Sequence, residues 1–499
     1  MTQPKFSSGL IITDLNDFIA PTQECVKPIV EVEENTKDNK SAKISLSLEK
    51  ENENEKENEN EIEIEKKPTI TKYKRVQVSL KDCLACSGCI TSAETILISQ
   101  QGFQEFISHF QQNDQEIIVL LSPQSRASLA SIYDIDSSKV HNLIYWIFNK
   151  YGKAYVYDTY FGWEIYLMEI INEFISKFRK ENKRKPLLVS TCPGWVCYAE
   201  KTYPDLLIPL MSTVKSPHML MGFLFKQYIS KIQKKEPKDY YVVSIMPCYD
   251  KKLEVSREDF YDSKTNIKDV DSVLTTSEVQ DFLTEYQEEI TNLKFLEEKS
   301  MENLKEFNTI NEENKKIYGR KDKGSGGITE YLFRKLAEKI FNYPKEKIPE
   351  ISFKNLRNSD FRIATLQDFK NPENKIQFAQ VYGFQNIQNL VRKIKMNQCN
   401  YDIVEIMACP FGCLNGGGQA KVSEKYLELN QISKMKFFEK IQKNYFNDFQ
   451  FVERDPEDNK EALKIYHDFF LPLKEKRLNT EYHNRKENTT ENAGLTTNW

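Results

Sequence analysis

The sequence predicts an α/β fold, two lobes of mostly parallel sheet with covering helices around a central cleft. Two observations carry this. From about Glu116 onward strand-like and helix-like segments alternate, the pattern of βα units with a largely parallel sheet. Three of the strand-like runs also end directly in a cysteine: Leu187–Thr191 into Cys192, Val242–Pro247 into Cys248, and Ile403–Ala408 into Cys409. In open α/β sheets the ligand crevice lies outside the carboxyl ends of the strands, so the three thiols are expected to converge there.

Element by element, Ile117–Leu121 reads as a strand and Ser138–Lys150 as a helix with aromatic anchors Tyr145, Trp146 and Phe148. Ala154–Tyr157 is strand-like, and Gly162–Lys180 has the periodicity of an amphipathic helix. Strand Leu187–Thr191 is followed by helices near Val196–Thr202 and Pro217–Ile232, then by strand Tyr240–Met246. Val273–Thr275 starts a short unit whose helix, Ser277–Gln287, is expected to be capped by its serine. Residues 288–323 are charged and weakly periodic and read as a surface insertion. Gly324-Ser325-Gly326-Gly327 then opens helix Ile328–Phe341. Strands Phe361–Thr365 and Ala379–Tyr382, helix Ile387–Met396 and strand Ile403–Met407 complete the pattern.

Outside this core, expected at 116–476, the composition changes. Residues 31–67 are mostly Glu, Lys, Asn and Ser, too polar to offset their ordering entropy, and read as a disordered acidic, Asn-rich linker. That linker separates an N-terminal segment, 1–30, from a small cysteine-bearing segment, 68–115; residues 477–499 read as a flexible tail ending in Trp499. The formal net charge of −4 gives no electrostatic reason to bind nucleic acid or membrane. No run of eighteen apolar residues occurs, and residues 1–30 are not expected to act as a secretory signal. Ten cysteines in such a chain point to a reducing compartment and metal chemistry.

The cysteines fall into two sets. Cys413 follows Cys409 in Cys409-Pro410-Phe411-Gly412-Cys413, which adds a fourth soft donor to the crevice set. Upstream, Cys83-Leu84-Ala85-Cys86-Ser87-Gly88-Cys89 lets one tight loop offer three thiolates, with Gly88 permitting the turn. No cysteine completes a ferredoxin-like run after Cys89, so the fourth ligand comes from elsewhere, and Cys25 is the only upstream cysteine. Closing that loop costs about 3–4 kcal/mol plus a constant, which makes Cys25 the most dispensable ligand and this cluster the labile one. A structural zinc site is the alternative, although zinc ligands usually arrive as two C-x2-C pairs.

Thr191-Cys192-Pro193-Gly194-Trp195, Met246-Pro247-Cys248-Tyr249-Asp250-Lys251 and Met407-Ala408-Cys409-Pro410-Phe411-Gly412-Cys413 resemble the three cluster motifs of iron-only hydrogenases. With Asp14–Pro21 before Cys25, Asp82–Glu94 and Ser122–Ser128, the chain resembles the NAR-type, iron-only-hydrogenase-like cytosolic iron–sulfur cluster assembly factors. The resemblance implies two [4Fe–4S] clusters around an iron-only-hydrogenase-like cleft and its small N-terminal segment. Cys25, Cys83, Cys86 and Cys89 would hold the exposed cluster; Cys192, Cys248, Cys409 and Cys413 would hold the buried one. It further implies a non-catalytic carrier or adaptor in the cytoplasm, reaching the nucleus, that works with cytosolic iron–sulfur scaffold and targeting complexes. The targeting complex's WD-repeat component would dock on the C-terminal Trp499, although Thr497-Asn498 departs from the family's usual ending.

Two rivals stay open at this level: a hydrogenase-like redox enzyme and a zinc-stabilised nuclear protein of the lamin-recognition branch. Thr191 stands where hydrogenases carry a proton-relay cysteine, and its hydroxyl does not titrate near neutral pH. Lys251, Met246 and Met407 are nevertheless kept. Gly416-Gly417-Gly418 lacks nucleotide-loop spacing and is expected to bring backbone amides toward sulfur. Cys197 reads as a packed thiol, Cys399 has no suggested partner, and His218 reads as a hydrogen-bonding helix start.

Overall fold

The computed structural model describes residues 97–486, apart from positions 99, 111–114, 181–184, 263–264, 292–304, 312, 314–315, 320–321, 323, 357 and 448–453. Cys25, Cys83, Cys86, Cys89, the 31–67 segment and Trp499 therefore lie outside the described residues.

Two sheets carry the fold. We number their strands β1 (Glu116–Leu121), β2 (Ala154–Asp158), β3 (Leu187–Val189), β4 (Tyr240–Met246), β5 (Ser272–Thr275), β6 (Lys354–Asn355), β7 (Phe361–Gln367), β8 (Lys375–Tyr382) and β9 (Ile403–Met407). The first sheet has the order β2-β1-β4-β5 and is parallel throughout, with Leu121 paired to both Asp158 and Ile245. The second has the order β6-β7-β8-β9-β3. In it β8-β9-β3 are parallel, while β6-β7 and β7-β8 are antiparallel. The antiparallel edge follows from chain length: Asp368 to Asn374 is too short for a parallel crossover, which takes a dozen or more residues. β1, β4 and β9 are buried on both faces, as expected of apolar strands sandwiched between helices.

All the expected strands form, and the helices fall close to where the periodicity puts them. Tyr160–Lys180 is the longest of the described helices, and Pro217–Leu224 runs on through a π-turn, Phe225–Ile229, to Ile232. The helix expected at Ser277 spans Thr276–Leu283, and its cap is Thr275. The Glu278 amide donates to Thr275 Oγ1 (3.3 Å) and Thr275 N–H donates to Glu278 Oε2 (2.8 Å), a reciprocal box that a serine two residues later cannot make.

Three boundary expectations are corrected. The helix Phe103–Phe110, placed with the small 68–115 segment, buries Phe103, Phe106 and Phe110 against Phe148 and Phe282 in the first lobe. Three phenylalanines on one face make it part of that core. In the expected surface insertion 288–323, Phe307 is buried against Tyr157, Phe161 and Phe225, because its large ring gains more from burial than the charged neighbours lose.

The start of the expected tail is also ordered against the body. Leu478 is fully buried, Asn479 bridges Val214, and Thr480 N–H donates to Thr213 O at 2.8 Å. The Tyr482 hydroxyl donates to Ser212 O (2.8 Å), and His483 N–H donates to Glu200 Oε1 (2.9 Å). Backbone pairing and the buried Glu200 hold this polar stretch where hydrophobic burial alone would not. No helix among the described residues is long and apolar enough to cross a membrane.

Candidate metal centre

The carboxyl ends of β3, β4 and β9 lead directly to Cys192, Cys248 and Cys409. Cys192 caps helix Pro193–Thr202 in extended conformation, with Pro193 at the first helical position. Its amide donates to Ser190 Oγ (3.1 Å), whose hydroxyl donates to Ile406 O on β9 (2.6 Å), tying β3 to its neighbour. Cys248 sits between Pro247 and helix Asp250–Val255. Cys409 and Cys413 flank a turn closed by Gly412 N–H donating to Cys409 O (3.1 Å). That turn needs the left-handed backbone of Gly412, φ 78°.

All four thiols line one cavity of about 50 Å³ with Thr191, His218, Met246, Asp250, Lys251 and Met407 among its walls. Neither Cys197 nor Cys399 lines it. Burial pushes all four thiols up: Cys248 and Cys409 well above the ordinary range and Cys413 to about 12. The Asp250 carboxylate adds to this at Cys192 and Cys248, and the neighbouring thiols add at Cys409. At Cys192 the Ala408 and Trp195 amides pull the other way, Ala408 N–H lying 3.5 Å from the sulfur. Four mutually repelling thiolates in such a site ionise only against a cationic centre, so metal binding there releases protons.

The donor set fits an iron–sulfur cluster: four soft sulfurs, an amide already aimed at one of them, and space between them. Among the described residues no group of three or more His, Cys, Asp or Glu side chains could hold a single metal ion. One tetrahedral zinc would need its sulfurs only about 3.8 Å apart, from Zn–S bonds of about 2.3 Å.

The glycine run approaches the cavity as expected, Gly416 lining it, but the Gly416 and Gly418 amides are not aimed at sulfur. A Cβ on Gly416 would stand 2.2 Å from Pro247 O, and Gly418 N–H donates to that same carbonyl at 2.9 Å. Gly416 N–H donates to Cys413 O (3.1 Å). These two amides serve carbonyls, and the run seats the second lobe's loop on the first lobe's strand end.

His218 is a buried hydrogen-bonded residue, as read. Its ring nitrogens meet Ser244 Oγ (3.1 Å) and Glu254 Oε2 (2.9 Å). Burial, then the nearby Lys251 ammonium, lowers it to about 4. Lys251 Nζ also donates to Glu254 (2.6 Å), and against the effect of burial this ammonium, helped by the His218 hydrogen bond, holds the Glu254 carboxyl well below the usual carboxylate range.

Sequence reasoning gave no role to Ser325, whose hydroxyl accepts Cys413 N–H (3.1 Å). The signal was there in its place inside a glycine cluster, a polar residue where backbones approach closely. Beside the four-thiol cavity lies a second of about 40 Å³, lined by Cys192, Cys197, Glu254, Arg257, Thr480 and Tyr482 among others.

The fold and this cysteine crevice define an iron-only-hydrogenase-like α/β protein. Residues 115–417 match the family model described as iron only hydrogenase large subunit, C-terminal domain. Among solved structures, an apo [FeFe]-hydrogenase HydA1 from Chlamydomonas reinhardtii aligns with TM-score 0.61 and 23% identity, over 76% of this chain and 98% of that one. Closer in sequence are the rat protein named cytosolic iron-sulfur assembly component 3 and the Xenopus tropicalis protein named cytosolic Fe-S cluster assembly factor narfl. Each is 37% identical over 99% of both chains. The mouse cytosolic iron-sulfur assembly component 3 is 40% identical over 84% of this chain and 85% of its own length. The chain belongs to this family of iron-only-hydrogenase-like cytosolic iron–sulfur cluster assembly factors.

Proposed function

We propose that the chain is a cytosolic iron–sulfur assembly factor that carries two [4Fe–4S] clusters and hands clusters on through protein contacts, without turning over a small molecule. Cys192, Cys248, Cys409 and Cys413 hold the buried cluster, and Cys25, Cys83, Cys86 and Cys89 the exposed one. The observation that carries the reading is the one cavity that Cys192, Cys248, Cys409 and Cys413 all line. The names of its relatives support the cytosolic assembly role. Scaffold and targeting complexes are its partners, with Trp499 as the handle for a WD-repeat component, and delivery extends to nuclear apoproteins.

A bound cluster supplies labile iron and sulfide and a one-electron couple. The chain's residues bury it, offer it four sulfurs with the Ala408 amide aimed at that of Cys192, and keep the two lobes in register. Mössbauer spectroscopy with iron and acid-labile sulfide analysis on anaerobically purified protein tests this. Replacing Cys409 and Cys413 together by alanine is expected to remove roughly half the iron and sulfide. Full iron retention in that variant sinks the ligand assignment. Deleting Trp499 should abolish capture of the targeting complex; unchanged capture removes the docking handle.

A hydrogenase-like enzyme is the second reading, favoured by the fold and by Lys251 on the cavity wall. Against it, Lys251 is paired with Glu254 and Thr191 replaces the relay cysteine. Hydrogen evolution from a strong reductant would establish it.

A further inference from the structure

Three of the four crevice cysteines leave the ends of strands, and their positions follow from sheet register. Cys413 does not: it begins a single 3-10 turn, Cys413–Asn415, after a left-handed glycine. Its surroundings supply what the sheet does not. Ser325, 1% exposed, accepts the Cys413 N–H at 3.1 Å.

The loop bearing Ser325 is itself anchored from below. The Asp322 carboxylate accepts Gly324 N–H (2.8 Å) and Gly326 N–H (2.5 Å), and Gln124 Nε2 donates to Gly324 O (3.2 Å). Gly412 leaves no slack above it, since a Cβ there would meet Ser325 Oγ at 2.3 Å.

We infer that Ser325 is a positioning residue for the buried cluster. Its hydroxyl accepts the Cys413 amide and so fixes the backbone of the one buried-cluster ligand that no strand holds. Outer partners of this kind typically contribute about 10- to 100-fold in metal retention. The inference rests on the buried-quartet reading proposed above.

The test uses the full chain, purified anaerobically with both clusters. Ser325→Ala is expected to shift the reduction potential of one cluster and leave the other unchanged. Loss of that cluster to an iron chelator should quicken roughly tenfold. Ser325→Thr and Ser325→Val are matched in size and differ in the hydroxyl, so they separate hydrogen bonding from packing. The threonine variant should keep the wild-type potential, and the valine variant should follow alanine. Equal potentials and loss rates for the threonine and valine variants overturn the inference, as does wild-type behaviour in Ser325→Ala. Should alanine prevent folding, the matched pair carries the decision. Cys413→Ala distinguishes the two levels: cluster retention there defeats the quartet itself, whereas cluster loss there with silent Ser325 variants defeats only the role of Ser325.

Discussion

The two lobes contribute unequally to the crevice between them. The first lobe, an all-parallel sheet of four strands, provides one thiol, Cys248, directly off β4. The second, a mixed sheet of five strands, provides Cys192 and Cys409 from strand ends and Cys413 from a turn. A buried parallel strand fixes its terminal residue through the ladder alone, whereas a turn has no ladder and must be held by side chains and close backbone packing. Sulfur positions can therefore be set by register or by contact, and this molecule uses both. A cluster held by the quartet would also staple one lobe to the other through unequal anchors.

The comparison can be broken or sharpened by substitution. The largest effect is expected at Glu200, buried on the helix that starts from Cys192. It receives Arg257 at 2.8 and 3.0 Å and the 478–486 strap through the His483 amide. Glu200→Gln leaves Arg257 only Asp259 (3.1 Å) as a charge partner and should cost about 3–4 kcal/mol in urea unfolding. A loss under 1 kcal/mol would mean that the strap and helix are held elsewhere.

Next is the acid limb. His218 titrates near its ordinary 6.5 when unfolded and is lowered to about 4 when folded, so the unfolded chain binds the extra proton. Its contribution is complete above the unfolded value and fades as pH falls from 6.5 toward 4, by up to about 3 kcal/mol. Glu254, depressed by Lys251 and His218, loses its contribution only further down, below its ordinary 4.5. His218→Gln should flatten the stability profile between pH 6.5 and 4; an unchanged slope assigns the limb to another group.

Gly416→Ala should cost about 1–3 kcal/mol through its clash with Pro247 and weaken the seat between the lobes. Hydrogen exchange at Cys248–Val255 is the readout, and unchanged protection there would deny that the glycine joins the lobes. The smallest effect is expected at Thr275→Ala, which removes one half of a capping box for about 1 kcal/mol, visible as a lower Tm with clusters retained.

Much of this was legible in the residues. The apolar runs ending at Cys192, Cys248 and Cys409 specified strands, and the rule for open sheets placed their thiols together. The helix Pro123–Tyr133 escaped because its buried face is polar: Gln124, Ser125, Arg126 and Ser128 are all buried, with Arg126 paired to Asp158. No hydrophobic period marks such a helix. The strap escaped because its order comes from backbone pairing with Thr213 and from Glu200, partners more than 260 residues away. Ser325 escaped because the amide it accepts belongs to another loop.

By itself, the sequence determined the strands, the cysteine pattern and the membership of Cys192, Cys248, Cys409 and Cys413 in one crevice, since alternation and strand ends are local properties of the chain. The tertiary structure alone decided that the strap closes on Glu200, that Gly416 seats on Pro247, and that Ser325 reaches Cys413. Those depend on which surfaces meet after folding, and no short-range pattern encodes a contact between distant loops.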